Sequence, residues 1–144
     1  MKTYILKTHL LRDKKVVREI EILEGVNLYK LANAVVTAYD FDFDHAFGFF
    51  STISEQYYRS QKKYELFSDM EDVRTTGAES VKKTKIGEVW EKVGDKMLFL
   101  FDYGDNWLFV VELVGFGKKE AKKKYPYIVR KVGRAPEQYL GVDD

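Results

Sequence analysis

The chain has 144 residues, a formal net charge of +1 and no cysteine. That length suits one domain, residues 1–144, with a real core; the missing cysteine excludes disulfides, thiolate chemistry and cysteine-bound zinc or iron–sulfur centres. No apolar run approaches a membrane span, and Lys7 interrupts the apolar start before a signal-peptide core can form, so a cytoplasmic protein without a membrane partner is expected.

Ten Tyr, ten Phe and two Trp suit a pleated sheet surface. Residues 2–11 and 15–23 read as strands joined by a tight turn at Arg12-Asp13-Lys14. In the second, Val16, Arg18, Ile20 and Ile22 form the more apolar face and Val17, Glu19, Glu21 and Leu23 the more polar one. Gly25 ends that strand, and Asn27 is a good N-cap for a helix over 28–39. Leu28, Leu31, Ala32, Val35, Val36 and Tyr39 recur at helical spacing, so one side of this helix packs on the sheet. Residues 40–44 form a loop, followed by a strand over 45–53. Residues 54–60 carry no clear pattern, and 63–67 read as a short strand. Residues 68–83 are polar and read as a mobile surface loop. Thr84 caps a short helix over 85–93, which Gly94 ends.

Residues 96–113 are the centre of the chain. Met97, Phe99, Phe101 and Tyr103 share one face of a strand, while Leu98, Leu100 and Asp102 share the other. In the return run Trp107, Phe109, Val111 and Leu113 alternate with Leu108, Val110 and Glu112. Both faces are mostly apolar, so this hairpin is expected in mid-sheet, covered on both sides. Gly104 is expected to supply a positive φ at its turn. Residues 114–124 are expected to leave the sheet as a basic connector. An edge strand then follows over 125–130, where Pro126 is tolerated. The fold class is α+β: one domain with a curved, mostly antiparallel sheet and two helices, roll-like.

The segment Phe101-Asp102-Tyr103-Gly104-Asp105-Asn106-Trp107 resembles the YDFGDxWxH signature of the plasmid pRiA open-reading-frame-three-like family. The likeness extends to Tyr4-Ile5-Leu6-Lys7, to Val17-Arg18-Glu19-Ile20 in the place of WRRI, and to Ala38-Tyr39 through His45, Phe47 and Phe49 in the place of AFGW…HLHxF. Ala135-Pro136-Glu137 resembles the PPEDxGG ending. The chain departs from the pattern in three places. Phe109 stands for the histidine after the signature tryptophan, Phe47 for the second histidine of HLH, and APEQ for PPED. The resemblance implies the same α+β class and association with plasmids and mobile elements, but no established biochemical activity. It marks Asp102, Tyr103, Gly104, Asp105, Trp107, Pro136 and Glu137 as signature residues, which are expected to be structural.

Asp40-Phe41-Asp42-Phe43-Asp44-His45 has the alternating carboxylates of a calcium loop, but His45 replaces the required glycine and Ser51 the bidentate glutamate. An EF-hand is excluded. A non-canonical metal site at Asp42, Asp44 and His45 stays open, with a metal-dependent hydrolase that adds Asp102 as the most distant function reading. The favoured reading is an acidic turn whose phenylalanines reach the core. Asp102 lies in an apolar strand and needs a partner; Arg18, Arg130 and Arg134 are the candidates. Only His9 and His45 titrate near neutrality, and neither sits in a triad or metal spacing. No phosphate loop, GxSxG elbow or HExxH occurs. The expectation is therefore no catalytic residue, no metal and no cofactor, in a non-catalytic binding or interaction module.

Charge is uneven along the chain. Residues 40–72 are acidic, whereas 118–134 hold Lys118, Lys119, Lys122, Lys123, Lys124, Arg130, Lys131 and Arg134 against Glu120. Clustered cations attract phosphates, and interleaved Tyr125 and Tyr127 can stack on unpaired bases. Binding of DNA or RNA through these ten residues is the alternative function. The other partner classes are an unknown protein or ligand, and a second copy in a homodimer.

Overall fold

The computed structural model describes residues 1–66 and 78–139. The strands are β1 (Lys2–Leu10), β2 (Asp13–Leu23), β3 (Phe47–Phe50), β4 (Lys63–Glu65), β5 (Glu79–Ser80), β6 (Lys96–Phe101), β7 (Trp107–Lys118) and β8 (Tyr127–Val132), with helices α1 (Leu28–Ala38) and α2 (Ile86–Val89). They form one α+β unit around an open, mixed sheet in the order β5-β4-β3-β6-β7-β1-β2-β8. Every neighbour pair is antiparallel except β4 with β5.

The expected hairpin lies in mid-sheet as β6 and β7, with both faces covered. On the face toward α1, Phe47, Phe49, Phe99, Phe101 and Phe109 are fully buried together. On the other face Phe50, Leu98, Leu100 and Leu108 form a smaller cluster under Ile53, Tyr57 and Tyr103. Alternation along the strands builds both layers, since successive side chains point to opposite faces. Helix α1 starts where expected: Asn27 Oδ1 accepts the Lys30 N–H at 2.9 Å. All six residues predicted to face inward on it are buried.

Several expected boundaries shift, each for a local physical reason. Strand β2 begins at Asp13, so the first turn is Leu11-Arg12 alone. The strand predicted over 45–53 pairs only over Phe47–Phe50, between β4 and β6. The helix predicted over 85–93 stops after one turn, because Asp95 Oδ2 accepts the Glu91 and Lys92 N–H groups at 2.9 and 3.0 Å and turns the chain back. Thr84 does not cap it; its hydroxyl donates to Ser80 O. Of the loop predicted over 68–83, residues 68–77 lie outside the described residues. The remainder contains β5 and the fully buried Val81.

Residues 114–118 do not leave the sheet. They extend β7 along β1, with Ile5 opposite Gly115 and Lys2 opposite Lys118, past a bulge between Ile5 and Leu6. Gly117 belongs to this extension. A Cβ there would meet Thr3 Oγ1 and Glu21 Oε2 at 2.8 Å, where the two side chains share a 2.6 Å hydrogen bond. The edge strand β8 pairs with β2 alone and begins after Pro126.

The central turn also differs from expectation. Positive φ falls on Asp102 (68°) and Asn106 (53°), not on Gly104. Aspartate and asparagine tolerate this region better than other residues with a Cβ. Gly104 serves close approach instead, since a Cβ there would lie 3.3 Å from Asp102 Oδ1.

Candidate functional site

Two places gather the residues singled out by sequence. The first surrounds His45. Two residues past the end of helix α1, Asp40 lies in the left-handed region at φ 62°, and the following loop sends Phe41 against Trp107 (4.9 Å between ring centroids) and Phe43 against Phe101 (6.1 Å). These rings anchor the loop on the core and leave Asp42, Asp44 and His45 at the surface.

Gln138 clamps this loop from the far end of the chain. Its Oε1 accepts the Asp42 N–H at 2.6 Å, and its Nε2 donates to Asp42 O at 3.0 Å and to Asp44 Oδ1 at 3.2 Å. The Tyr139 hydroxyl donates to Asp44 Oδ2 at 2.7 Å and lies 2.8 Å from His45 Nε2. A hydroxyl has one proton, so toward the ring Tyr139 accepts and His45 Nε2 carries the hydrogen. Asp102 Oδ2 lies 3.4 Å from the same nitrogen and Asp44 Oδ1 3.6 Å. Asp102 Oδ1 accepts the Gly104 and Asp105 N–H groups at 3.0 and 3.3 Å. The partner of Asp102 is therefore His45 and its own turn. Of the three arginines proposed for it, Arg18 donates to Ala38 O, Val17 O and Val132 O, Arg130 donates to Glu19, and Arg134 is exposed.

Three segments that resemble the family signature thus meet at one imidazole. The other signature residues make ordinary packing contacts. Tyr103 donates to Glu65 Oε1 at 2.6 Å, Trp107 packs on Phe41, Pro136 is half-buried and Glu137 is exposed. Phe47 and Phe109, at the family's histidine positions, are fully buried in the ring cluster beside Phe99. Sequence reasoning missed Gln138 and Tyr139; their only signal was adjacency to the Ala135-Pro136-Glu137 segment.

The Tyr139 hydroxyl that meets His45 is itself held by the Asp44 carboxylate, and Asp42 joins through its backbone rather than its carboxylate. Among the described residues no group of three or more His, Cys, Asp or Glu side chains is arranged to hold a metal ion. The hydrogen bond from Tyr139 holds the Asp44 carboxyl below its ordinary range, with a smaller contribution from His45, while the same bond pushes Tyr139 up to about 12. A depressed carboxyl contributes stability above its unfolded pKa and loses it as pH falls through its folded value. In Tyr139→Phe the Asp44 carboxyl is therefore expected to titrate at higher pH and to contribute less to the acid limb of stability. Side-chain carboxyl NMR titration of both proteins checks the first, and a shift in the opposite direction rules the hydrogen bond out as its cause.

The second place is the β8 side of the sheet. Its predicted basic residues have different surroundings. Lys118 and Lys119 close the end of β7 near Met1. Lys123 contacts Glu120 (3.0 Å) and Glu21 (3.8 Å), and its ammonium covers the Tyr127 ring at 4.6 Å. Tyr125 is half-buried and its hydroxyl accepts the Glu120 N–H. Arg130 pairs with Glu19 at 3.0 Å. Lys122, Lys124, Lys131 and Arg134 are exposed and make no ion pair among the described residues, with Lys131 and Arg134 toward the far end of β8. All six residues of β8 are exposed. Between β8 and α1 runs a groove of about 440 Å³, with Ile20, Ala34, Ala38, Pro126 and Ile128 along it and Lys30 at its rim.

Among solved structures, the chain is similar to a protein of unknown function, MM3350, from Methanosarcina mazei Go1. The two share 21% sequence identity over 94% of this chain and 71% of the other, with a TM-score of 0.74. At that identity the likeness speaks for the fold. No curated protein matches the chain. The family model described as plasmid pRiA4b ORF-3-like protein matches residues 2–143. Together with the turn that its signature residues build around Asp102, that match places the chain in the plasmid pRiA4b ORF-3-like protein family.

Proposed function

We propose that the protein is a non-catalytic binding module that uses the free edge of β8 and the groove beside α1. The observation carrying this reading is an edge strand exposed at every residue, next to an apolar groove. Native sheets usually cover, shorten or break such an edge, because its unpaired N–H and C=O groups template further pairing. Here Tyr127, Ile128, Val129 and Val132 stand in solvent beside it. The His45 network supports the same reading from the other side, since its polar atoms are turned on one another. Selection from a displayed library of random peptides tests the proposal. Retained peptides are expected to lose binding to Ile128→Asp, a substitution at an exposed position. Peptides that bind wild type and variant equally would overturn it.

Nucleic-acid binding is the second reading, favoured by Lys118, Lys119, Lys122 and Lys124, which are exposed and make no ion pair among the described residues. It predicts anisotropy changes with labelled single-stranded DNA or RNA whose log K falls with log salt by about 0.7 per phosphate contacted. Lys122→Glu combined with Lys123→Glu is expected to abolish them. Tyr125 and Tyr127 argue against it as stacking platforms, because one is tied into its own turn and the other is covered by Lys123.

A further inference from the structure

We infer that the β8–α1 groove receives an extended peptide that adds to β8 as a further strand and carries two acidic residues flanking an apolar one. This rests on the binding-module reading above and names the chemistry of the occupant.

The argument begins with register. Ile128 pairs with Ile20 and lies on the α1 face; both line the groove. A bulge falls between the Ile20 and Glu19 pairings, so that Val129 is passed over and Arg130 pairs with Glu19. Lys131 then pairs with Arg18 and returns to the α1 face, because faces alternate along a strand. Arg18 in turn donates to Ala38 O, the last residue of α1. Lys131 therefore stands level with the C-terminal end of the helix. At the other end, Lys30 in the first turn of α1 shares a smaller cavity with Tyr125 and Pro126. The groove thus has Ile20, Ala34, Ala38 and Ile128 along it beside Asn33 and Thr37, with Lys30 at one end; by register Lys131 stands just past the other end.

Neither lysine makes an ion pair among the described residues, whereas Lys123 and Arg130 are met by glutamates. Helix α1 itself carries no acidic residue. Two lysines without an ion pair among the described residues favour an anionic partner. Lys30 and Ala38 are about 12 Å apart along the helix at 1.5 Å per residue. In an extended strand, residues four apart are about 13 Å apart and on one face. An acid-x-apolar-x-acid segment fits both spacings, with its central side chain on the groove floor and its backbone on the open edge of β8.

Other occupants fit less well. A second copy paired edge to edge along β8 would set Lys131 against Ile128 and leave the lysines without anions. A polyphosphate backbone matches the lysines but gains nothing from the Ile20, Ala34 and Ile128 floor.

The test uses the full chain and two fluorescein-labelled peptides, Ser-Glu-Thr-Val-Thr-Glu-Ser and the same peptide with lysine for each glutamate. Binding is read by anisotropy and by amide chemical shifts. The acidic peptide is expected to bind at least about tenfold more tightly than the basic one, as like-charge juxtaposition demands. Its shifts should centre on β8 and α1, and Lys30→Glu and Lys131→Glu should each erase the preference while thermal melts stay unchanged. If the basic peptide binds as tightly and Ile128→Asp abolishes both, the groove is the binding surface but the acidic partner is wrong. Acidic-peptide binding indifferent to Lys131→Glu and Ile128→Asp overturns the placement. If neither peptide binds while library peptides still depend on Ile128, the motif falls and the module reading stands. If no library peptide depends on Ile128 either, both fall.

Discussion

Phe99→Ala is expected to lower the free energy of unfolding by about 3–5 kcal/mol, the range for truncating a buried aromatic side chain. Phe99 is fully buried on β6, and its ring lies 4.8 Å from Phe49, 5.7 Å from Phe109, 5.9 Å from Phe47 and 6.4 Å from Phe101 between centroids. Strands β3, β6 and β7 all supply these neighbours, so collapse of any one strand cannot refill the space. Small domains hold only about 5–15 kcal/mol in total, which brings the variant close to the unfolding threshold at room temperature. Leu98→Ala empties the smaller cluster on the opposite face, under the half-buried Tyr57 and Ile53. That site relaxes more easily, and its loss is expected at the low end of about 2–5 kcal/mol. Urea unfolding of both variants checks the order. A loss below about 1 kcal/mol for Phe99→Ala would mean that the inner ring cluster is not one packed core.

Asp102→Ala is expected to cost about 2–4 kcal/mol, the sum of two physical terms. One is loss of two hydrogen bonds to a charged acceptor, from the Gly104 and Asp105 N–H groups. The other is placement of an alanine at φ 68°, which costs roughly 1–2 kcal/mol. Asp102→Asn keeps both the acceptor and a side chain tolerant of this φ, so it should cost less than about 1 kcal/mol. Asp102→Gly relieves the backbone but drops the bonds, and should fall between the two. If Asp102→Asn is as damaging as Asp102→Ala, the charge facing His45 at 3.4 Å outweighs the turn, and the turn account fails.

The legible parts of the fold were those written in short-range patterns. Period-two alternation over 96–113 identified a two-faced central hairpin, and β6 and β7 lie in mid-sheet with both faces buried. Asn27 and the spacing from Leu28 to Tyr39 marked α1 to within a residue. The family signature was readable as a motif, and the family match follows it. The misreadings have specific causes. Residues 114–124 were taken as a connector leaving the sheet, yet β1 pairs alongside 115–118 and Gly117 makes room for the Thr3–Glu21 contact. Gly104 was assigned the positive φ because glycine accommodates it most readily, whereas Asp102 takes it and bonds its own turn. Of the clustered cations, Lys123 and Arg130 are met by glutamates from β2, a pairing no run of lysines announces.

By itself, then, the sequence determined the class of fold, the central strands, the inner face of α1 and the family, because these depend on neighbours a few residues apart along one element. Only the tertiary structure decided which distant groups meet. His45 joins Asp102 and Tyr139 across separations of up to 94 residues. By register Lys131 shares the face of Ile128, three residues before it, only because a bulge interrupts the β2–β8 pairing between them. Both are consequences of sheet order and strand register, which no local pattern contains.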